Sequence, residues 1–206
     1  MTSSACMPEF AIRPYESRDL DALYEVCLRT GASGEDASAL LEHTDLLGHI
    51  YAGPYGVLAP ELAFVLEDGE GVCGYVLGAL DTEAFERRLD AEWFPPLRER
   101  FPLGSVASGS FDDLLVQMIH RPLRTPRAVW ERHPSHLHID LLPRAHGHGN
   151  GRRMMEAQFA ALRAAGSPGL HFGVSPANAR ALGFYRHLGI EEVAGGGPVV
   201  LFAQAL

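Results

Sequence analysis

The chain of 206 residues is 47% hydrophobic and carries a formal net charge of -9. This length predicts one domain with a substantial core, and the acidic balance argues against nucleic acid, whose binding depends on clustered basic side chains. All 17 basic residues are arginines, which excludes a Schiff-base lysine and the lysine of a phosphate-binding loop. No apolar run approaches the roughly 20 residues of a membrane span, and the start, MTSSACMPEFAIRP, lacks the parts of a signal peptide. The sequence therefore predicts a cytoplasmic protein.

Hydrophobic periodicity predicts strands and helices mixed along the first half of the chain. They are a strand at 9–15, helices at 17–31 and about 35–50, strands at 61–67 and 71–80, and a helix at 81–101 that Pro95 and Pro96 interrupt. The short turn DGEG between the two adjacent strands is a hairpin signal. The segment AGPYGVLAP, which follows the second helix, is predicted as a turn.

The second half continues the same mixture after a poorly patterned segment at 102–135, which we interpret as an insertion. The predicted elements are helices at 111–120, 151–165 and 175–189, and strands at 137–142, 169–175 and 198–205. Ser175 is the predicted N-cap of the last helix, with a proline at its first position. Strands mixed with helices predict a mixed α/β sheet in a single domain over 1–206.

The segment HPSHLHIDLLPRAHGHGNGRRMM, at 133–155, combines histidines that suggest a metal with glycines that suggest a phosphate. Side chains on a strand alternate between faces, so His136, His138 and Asp140 share one face. HLHID resembles the HxHxDH opening of the metallo-β-lactamase hydrolases, but Leu141 stands at the sixth position. A catalytic zinc needs three protein ligands fixed in space, and the supporting downstream ligands are not evident. We therefore expect no metal, and a metal-dependent hydrolase stays the minor alternative.

The glycine-rich stretch HGHGNG, at 146–151, follows a predicted strand and begins a predicted helix. Main-chain N–H groups at such a junction are unpaired and lie at the positive end of the helix dipole, which suits a diphosphate. Glycine allows the positive φ angles and the close approach that this loop needs. Arg152 and Arg153 oppose the dipole in the first helical turn unless an anion binds there.

This loop and a second motif together resemble the GNAT superfamily of CoA-dependent N-acyltransferases. The family's (Gln/Arg)-x-x-Gly-x-(Gly/Ala) loop wraps the CoA pyrophosphate, and HGHGNG matches its spacing with His146 at the first position and Asn150 at a usually aliphatic one. NARALGFYRHLGI, at 178–190, is similar to the family's Asn-x-x-Ala-x-x-Phe-Tyr-x-x-x-Gly-Phe segment. HLHIDLLP and VLEDGEGVCGYVLGALD resemble the acetyltransferase-like C-terminal domain of O-GlcNAcase and its stand-alone bacterial relatives. The resemblance implies a mostly antiparallel GNAT-like sheet of about six to seven strands, flanked by helices.

The resemblance also implies an N-acetyltransferase that moves an acetyl group from acetyl-CoA directly to a primary amine. The acceptor would be a small molecule or a protein lysine, without nucleic acid or membrane partners, and the protein a monomer or a homodimer. Strand main chain would pair with the pantetheine, and an N–H near Leu141 or Leu142 would polarise the acetyl carbonyl. The residues expected to bind the cofactor are Ile139, Leu141, Leu142, His146, Gly147, His148, Gly149, Asn150, Gly151, Arg152, Arg153, Asn178 and Tyr185.

The catalytic roles that the resemblance implies belong to Tyr185, Asp140 and His138. The Tyr185 phenol, with an ordinary pKa of about 10, would protonate the departing thiolate. Asp140 and His138 extend from one strand face and would take the proton of the amine, singly or as a relay, with His136 as a third choice. The alternative is a catalytically inactive pseudo-acetyltransferase that serves as a binding module.

Overall fold

Seven strands form the sheet in the computed structural model, which describes residues 9–193 and 198–206. They are β1 Ala11–Pro14, β2 Ala63–Asp68, β3 Gly71–Ala79, β4 Ser135–Leu141, β5 Gly169–Val174, β6 Glu191–Val193 and β7 Val200–Ala205. Their order across the sheet is β1-β2-β3-β4-β5-β7-β6. Neighbours are antiparallel except for the parallel pair β4 and β5. The predicted mixed, mostly antiparallel sheet with flanking helices is confirmed.

The helices occupy the connections between these strands. They are α1 Leu20–Thr30, α2 Leu46–Tyr51, α3 Gly53–Leu58, α4 Thr82–Arg88, α5 Phe94–Arg100, α6 Phe111–His120, α7 Arg127–Trp130, α8 Asn150–Ala164 and α9 Ala179–His187. The predicted insertion at 102–135 contains α6 and α7. None of the helices in the described ranges has the length and the apolar character needed to cross a membrane.

The segment from 35 to 59 differs from its prediction. The helix predicted at about 35–50 is wrong as a single element, because the chain forms a 3-10 turn at Ser38–Leu40 and only the short α2. The stretch predicted as a turn is α3, which has a proline at its start. Glycines let α2 and α3 approach α1: a Cβ at Gly48 would lie 2.2 Å from the Tyr24 ring, and one at Gly53 would lie 2.3 Å from its hydroxyl.

The helix predicted at 81–101 continues past its two prolines instead of ending at them. A π-helical turn at Leu89–Trp93 joins α4 to α5. Pro95 and Pro96 lie in the first turn of α5, directly after this π-helical turn, and neither has an N–H to continue the helical hydrogen bonds. Where an interruption was predicted, the helix instead widens locally into a π-helical turn.

The last helix begins later than predicted. Asn178 is its N-cap, since the Asn178 Oδ1 accepts a hydrogen bond of 3.0 Å from the Ala181 N–H. Ser175 instead bonds across to Ser33, with 3.0 Å between the two hydroxyl oxygens. The three-residue strand β6 was not predicted, and its main-chain pairing with β7 holds it at the edge of the sheet.

The two parallel strands separate soon after they meet. β4 pairs with β5 only at Ser135 with Leu170 and at His136 with His171. Beyond His136, β4 keeps its antiparallel partner β3 on one side, and no strand among residues 9–193 and 198–206 pairs with its other side. Helices α1 to α3 cover one face of this region and α8 covers the other. The separation leaves a gap in the sheet, and this gap positions the candidate site.

Candidate functional site

A cavity of about 440 Å³ lies beside the free edge of β4, between that edge and the start of α9. Its lining combines β4, the loop and first turn of α8, and one side of α9 from its N-cap to the residue after its end, with Thr30 from the end of α1. The predicted site residues in this lining are Ile139, Asp140, Leu141, His146, Gly147, Gly149, Asn150, Gly151, Arg152, Asn178 and Tyr185. The lining does not include the predicted residues Leu142, His138, His148 and Arg153.

The free edge of β4 presents main-chain groups to the cavity. The N–H of Leu142 donates to the Cys73 carbonyl at 2.8 Å, so this residue turns its main chain toward β3. Alternation along an antiparallel pair then directs the N–H and C=O of Ile139 and Leu141 away from β3, toward the gap. Of the two N–H groups predicted to polarise an acetyl carbonyl, the one on Leu142 is already bonded, which leaves Leu141.

The glycine loop forms a row of main-chain donors. Gly147 and Gly149 have φ angles of 78° and 73°, which residues with side chains rarely adopt. Within the described part of the chain, no N–H from 147 to 152 donates to a protein acceptor, and the ladder of α8 starts with the bond from Arg153 to the Gly149 carbonyl. These groups lie where a helix dipole adds positive potential, so the loop is a site for an anion.

Side chains around this loop divide into those that face the cavity and those that brace the loop. Asn150 is buried and bridges the loop, since its Nδ2 donates to the Ala145 carbonyl at 3.1 Å and its Oδ1 accepts from Arg153 at 3.0 Å. Arg153 also donates to the Phe10 carbonyl, and the His148 ring lies 5.1 Å from the Phe10 ring. The side chains of His148 and Arg153 thus bind the edge of the sheet rather than the cavity.

The reactive face of β4 carries Asp140. Burial raises the pKa of Asp140 to about 6, and a hydrogen bond from Tyr75 opposes that rise. The Tyr75 hydroxyl donates to Asp140 Oδ2 at 2.6 Å from the paired position on β3. Burial lowers the pKa of His138 to about 4. At neutral pH, Asp140 is therefore ionised and is the stronger proton acceptor of the two.

Tyr185 reaches the cavity from α9. It is buried against the rings of Phe172, Phe184 and Phe202. Burial, followed by the charge of Asp140, raises the pKa of Tyr185 above its ordinary value. The phenol therefore stays protonated at neutral pH and is suited to donate a proton.

The geometry argues against a metal on the histidine strand. Both ring nitrogens of His136 are engaged, Nδ1 with the Thr82 hydroxyl and Nε2 with the Tyr55 hydroxyl, each at 2.8 Å. Burial, with His171 and His138 nearby, holds the pKa of His136 well below its usual range. Across the described ranges, no three His, Cys, Asp or Glu side chains are arranged to hold a metal ion.

Four polar residues of this site were not predicted from the sequence: Thr30, Arg180 and His187 line the cavity, and Tyr75 contacts Asp140. Tyr75 lies on the neighbouring strand β3 among apolar residues, so the sequence around it does not indicate its contact with Asp140. Arg180 lines the cavity from the first turn of α9 and bonds to His146 at 2.8 Å. A cation in the first turn of a helix is the same signal that pointed to Arg152.

The chain is similar to known proteins both in sequence and in fold. No protein-family model matches the chain. The chain is 28% identical over 187 residues, 90% of its length, to Protein O-GlcNAcase of Rattus norvegicus and of Mus musculus, and it spans 20% of the length of these curated relatives. It is 39% identical to the protein in the crystal structure of SsHAT, with a TM-score of 0.89 over 96% of this chain and 98% of that one. The structure of yncA from Salmonella typhimurium with its cofactor acetyl-CoA shares the fold, at 14% identity and a TM-score of 0.55 over 95% and 93% of the two chains.

Proposed function

Since this chain belongs to the GNAT superfamily of CoA-dependent acyltransferases, we propose that it transfers an acetyl group from acetyl-CoA directly to a primary amine. One observation carries the proposal: the free edge of β4 and the unpaired N–H groups at 147–152 face the same cavity. Asp140 and Tyr185 line that cavity as well. An anion site, a strand edge and two groups suited to proton transfer are the components that this reaction requires.

The residues present fit the two ends of such a cofactor. A diphosphate needs several N–H donors and positive potential, which the start of α8 supplies together with Arg152. A pantetheine chain contains amides, and the outward N–H and C=O of Ile139 and the outward N–H of Leu141 can bond to them as one strand bonds to another. The Leu141 carbonyl already accepts a hydrogen bond from the His146 ring. Among the described residues that line the cavity, Asp140 alone carries a carboxylate, which keeps the potential around the anion site favourable.

Acetyl-CoA supplies the reactive thioester, and the side chains of the protein manage the protons. A primary amine has a pKa near 10 and must lose a proton before it can attack. Asp140, with a pKa of about 6, is ionised at neutral pH and accepts that proton through the oxygen that Tyr75 does not hold. Tyr185 keeps its proton at neutral pH and donates it to the departing sulfur as the C–S bond breaks. The second proton that the nitrogen loses when the amide forms restores the Tyr185 phenol. No covalent bond to the enzyme is needed.

The test combines binding with turnover. Calorimetry measures the affinity for acetyl-CoA, and chromatography of released CoA measures transfer to a panel of small cationic amines and lysine peptides. Binding with transfer to one class supports the proposal and identifies the acceptor. Binding without transfer to any of them identifies a pseudo-acetyltransferase, and absence of binding refutes the proposal outright.

A matched pair of glycine variants tests the loop. Gly149 and Gly166 both have positive φ angles, and both have open space where a Cβ would be. Glutamate at either position therefore causes the same backbone strain, but only Gly149→Glu places a carboxylate in the proposed diphosphate site. We expect Gly149→Glu to weaken acetyl-CoA binding by at least tenfold and Gly166→Glu to leave it within twofold. Equal effects of the two variants would contradict the location of the site.

A further inference from the structure

The family's loop begins with glutamine or arginine, but this chain has His146 there, and its ring is already fully bonded. The His146 Nε2 lies 2.8 Å from the Leu141 carbonyl, which can only accept, so this nitrogen carries the proton. The Nδ1 lies 2.8 Å from a guanidinium nitrogen of Arg180 and must be the acceptor of that bond. His146 is thus neutral, with no N–H left for a phosphate.

The group that His146 holds is a second positive charge beside the loop, the guanidinium of Arg180. Arg180 has two bonded partners, the His146 Nδ1 and the Gly34 carbonyl at 3.4 Å, and both are neutral. No carboxylate within the described ranges comes within 4 Å of its guanidinium. Its positive charge therefore has no ion-pair partner at the wall of the cavity. The Glu35 carboxylate acts on this cluster only through its charge, which favours a higher pKa of His146.

The position of Arg180 is unfavourable unless an anion is bound. It lies in the first turn of α9, and that turn contains no acidic residue. A cation at this end opposes the helix dipole. Arg152 has the same arrangement at the start of α8, where its ion pair with Glu156 is long, at 3.9 Å. The first turns of two helices thus contribute arginines to one cavity.

We propose that Arg180 provides the cationic contact to the diphosphate of the cofactor, and that His146 is the positioning residue that holds Arg180 in place. This inference rests on the proposed function, because it assumes that the cavity takes CoA. The place of His146 in the loop suggests that it donates a hydrogen bond to the phosphate. The inference assigns it a different role. The recognised group is the diphosphate, so ligands without it bind independently of Arg180.

The experiment compares three probes by calorimetry: CoA, dephospho-CoA and pantetheine. Arg180→Met removes the charge from an exposed side chain and leaves the fold intact. Arg186→Met is the control, because Arg186 lies on the same helix but pairs with Glu192 outside the cavity. We expect Arg180→Met to weaken CoA and dephospho-CoA by tenfold or more, as for loss of a charge-assisted bond, and to leave pantetheine within twofold. Arg186→Met is expected to change none of the three.

The positioning role has its own readout. His146→Leu removes both ring bonds, while His146→Gln retains one donor and one acceptor. We expect His146→Leu to weaken CoA binding, His146→Gln to restore much of it, and His146→Leu to add little in a protein that already carries Arg180→Met. Additive effects of the two variants would refute the positioning role.

The possible results separate this inference from the proposed function. Unchanged CoA affinity in Arg180→Met, or equal weakening of pantetheine, overturns the assignment of Arg180 even if the wild-type protein transfers acetyl groups. Binding of CoA that depends on Arg180 but leads to no transfer supports the assignment and refutes the transferase. A wild-type protein that binds no CoA overturns both.

Discussion

The hydrogen bond between Tyr75 and Asp140 makes a quantitative prediction about the pH dependence of the reaction. Burial raises the pKa of Asp140 to about 6, and the 2.6 Å bond from the fully buried Tyr75 hydroxyl stabilises the carboxylate. A hydrogen bond to a charged group contributes about 1.5–3 kcal/mol. At 1.36 kcal/mol per pKa unit, Tyr75→Phe should raise the pKa of Asp140 by about one to two units.

This shift moves the acid limb of kcat/KM from a midpoint near 6 to about 7 or above. At pH 7 the ionised fraction of Asp140 falls from roughly nine tenths to roughly one half or less, by the titration relation that defines the pKa. At pH 9 both proteins are nearly fully ionised at this residue, so the two rates should converge. The variant is therefore impaired at neutral pH and recovers in alkali.

The assay measures CoA released from acetyl-CoA between pH 5 and 9.5, with one amine acceptor throughout, so that acceptor protonation affects both proteins equally. Tyr55→Phe is the matched control, because it also removes a buried tyrosine hydroxyl, but one that bonds to His136. An unchanged midpoint in Tyr75→Phe would refute the reasoning. An equal shift in Tyr55→Phe would show that the effect is not specific to the bond with Asp140.

Three further variants test separate parts of the structure. Tyr185→Phe should lower kcat by about 100-fold, as for loss of a general acid, and leave CoA affinity within twofold by calorimetry; an unchanged kcat would remove Tyr185 from the chemistry. The pKa of Asp140 in the folded protein is raised to about 6, so its ionisation lowers the stability of the protein as pH rises from about 4 to about 6. Asp140→Asn removes this loss and should therefore raise Tm more at pH 8 than at pH 4. An equal gain at both pH values would contradict this. A Cβ at Gly78 would lie 2.0 Å from the Nε2 of the fully buried Gln158, whereas one at Gly69 meets nothing within 4 Å. Gly78→Ala should therefore lose about 1–3 kcal/mol in denaturant unfolding that Gly69→Ala does not lose, and matching losses would show that Gln158 can move aside.

Local sequence signals were sufficient for the central unit of strand, loop and helix. The predicted strand at 137–142 and helix at 151–165 agree with β4 and α8 within two residues at each boundary. Both elements have clear periodicity, and the glycines between them require φ angles that few other residues adopt. Each signal lies within the element that it predicts.

The segment from 35 to 59 could not be predicted in this way. The helices α2 and α3 are each six residues long, too short to be stable without tertiary contacts. They form because Gly48 and Gly53 pack directly against Tyr24. In the sequence Gly48 lies within a predicted helix and Gly53 within a predicted turn, and nothing local indicates the ring that both contact.

The polar contacts of the site could not be predicted either, because the residues that form them are far apart in the sequence. Tyr75 and Asp140 are 65 positions apart, and His146 and Arg180 are 34 positions apart. The family resemblance identified Asp140 and His146 but not their partners. In each case burial causes the largest pKa shift of the predicted residue and the partner modifies it, so the chemistry of the site depends on surroundings that only the fold provides.

The separation of β4 from β5 explains why the site is preformed. His136 belongs to the last residue pair that joins the two strands, and the Thr82 and Tyr55 hydroxyls hold both of its ring nitrogens. β3 remains bonded to β4 beyond that point, so the free edge stays extended without its parallel neighbour. A ligand that pairs with Ile139 and Leu141 therefore displaces no protein strand. Binding energy is not used to separate the sheet, and the contacts at both ends of the cavity contribute directly to affinity.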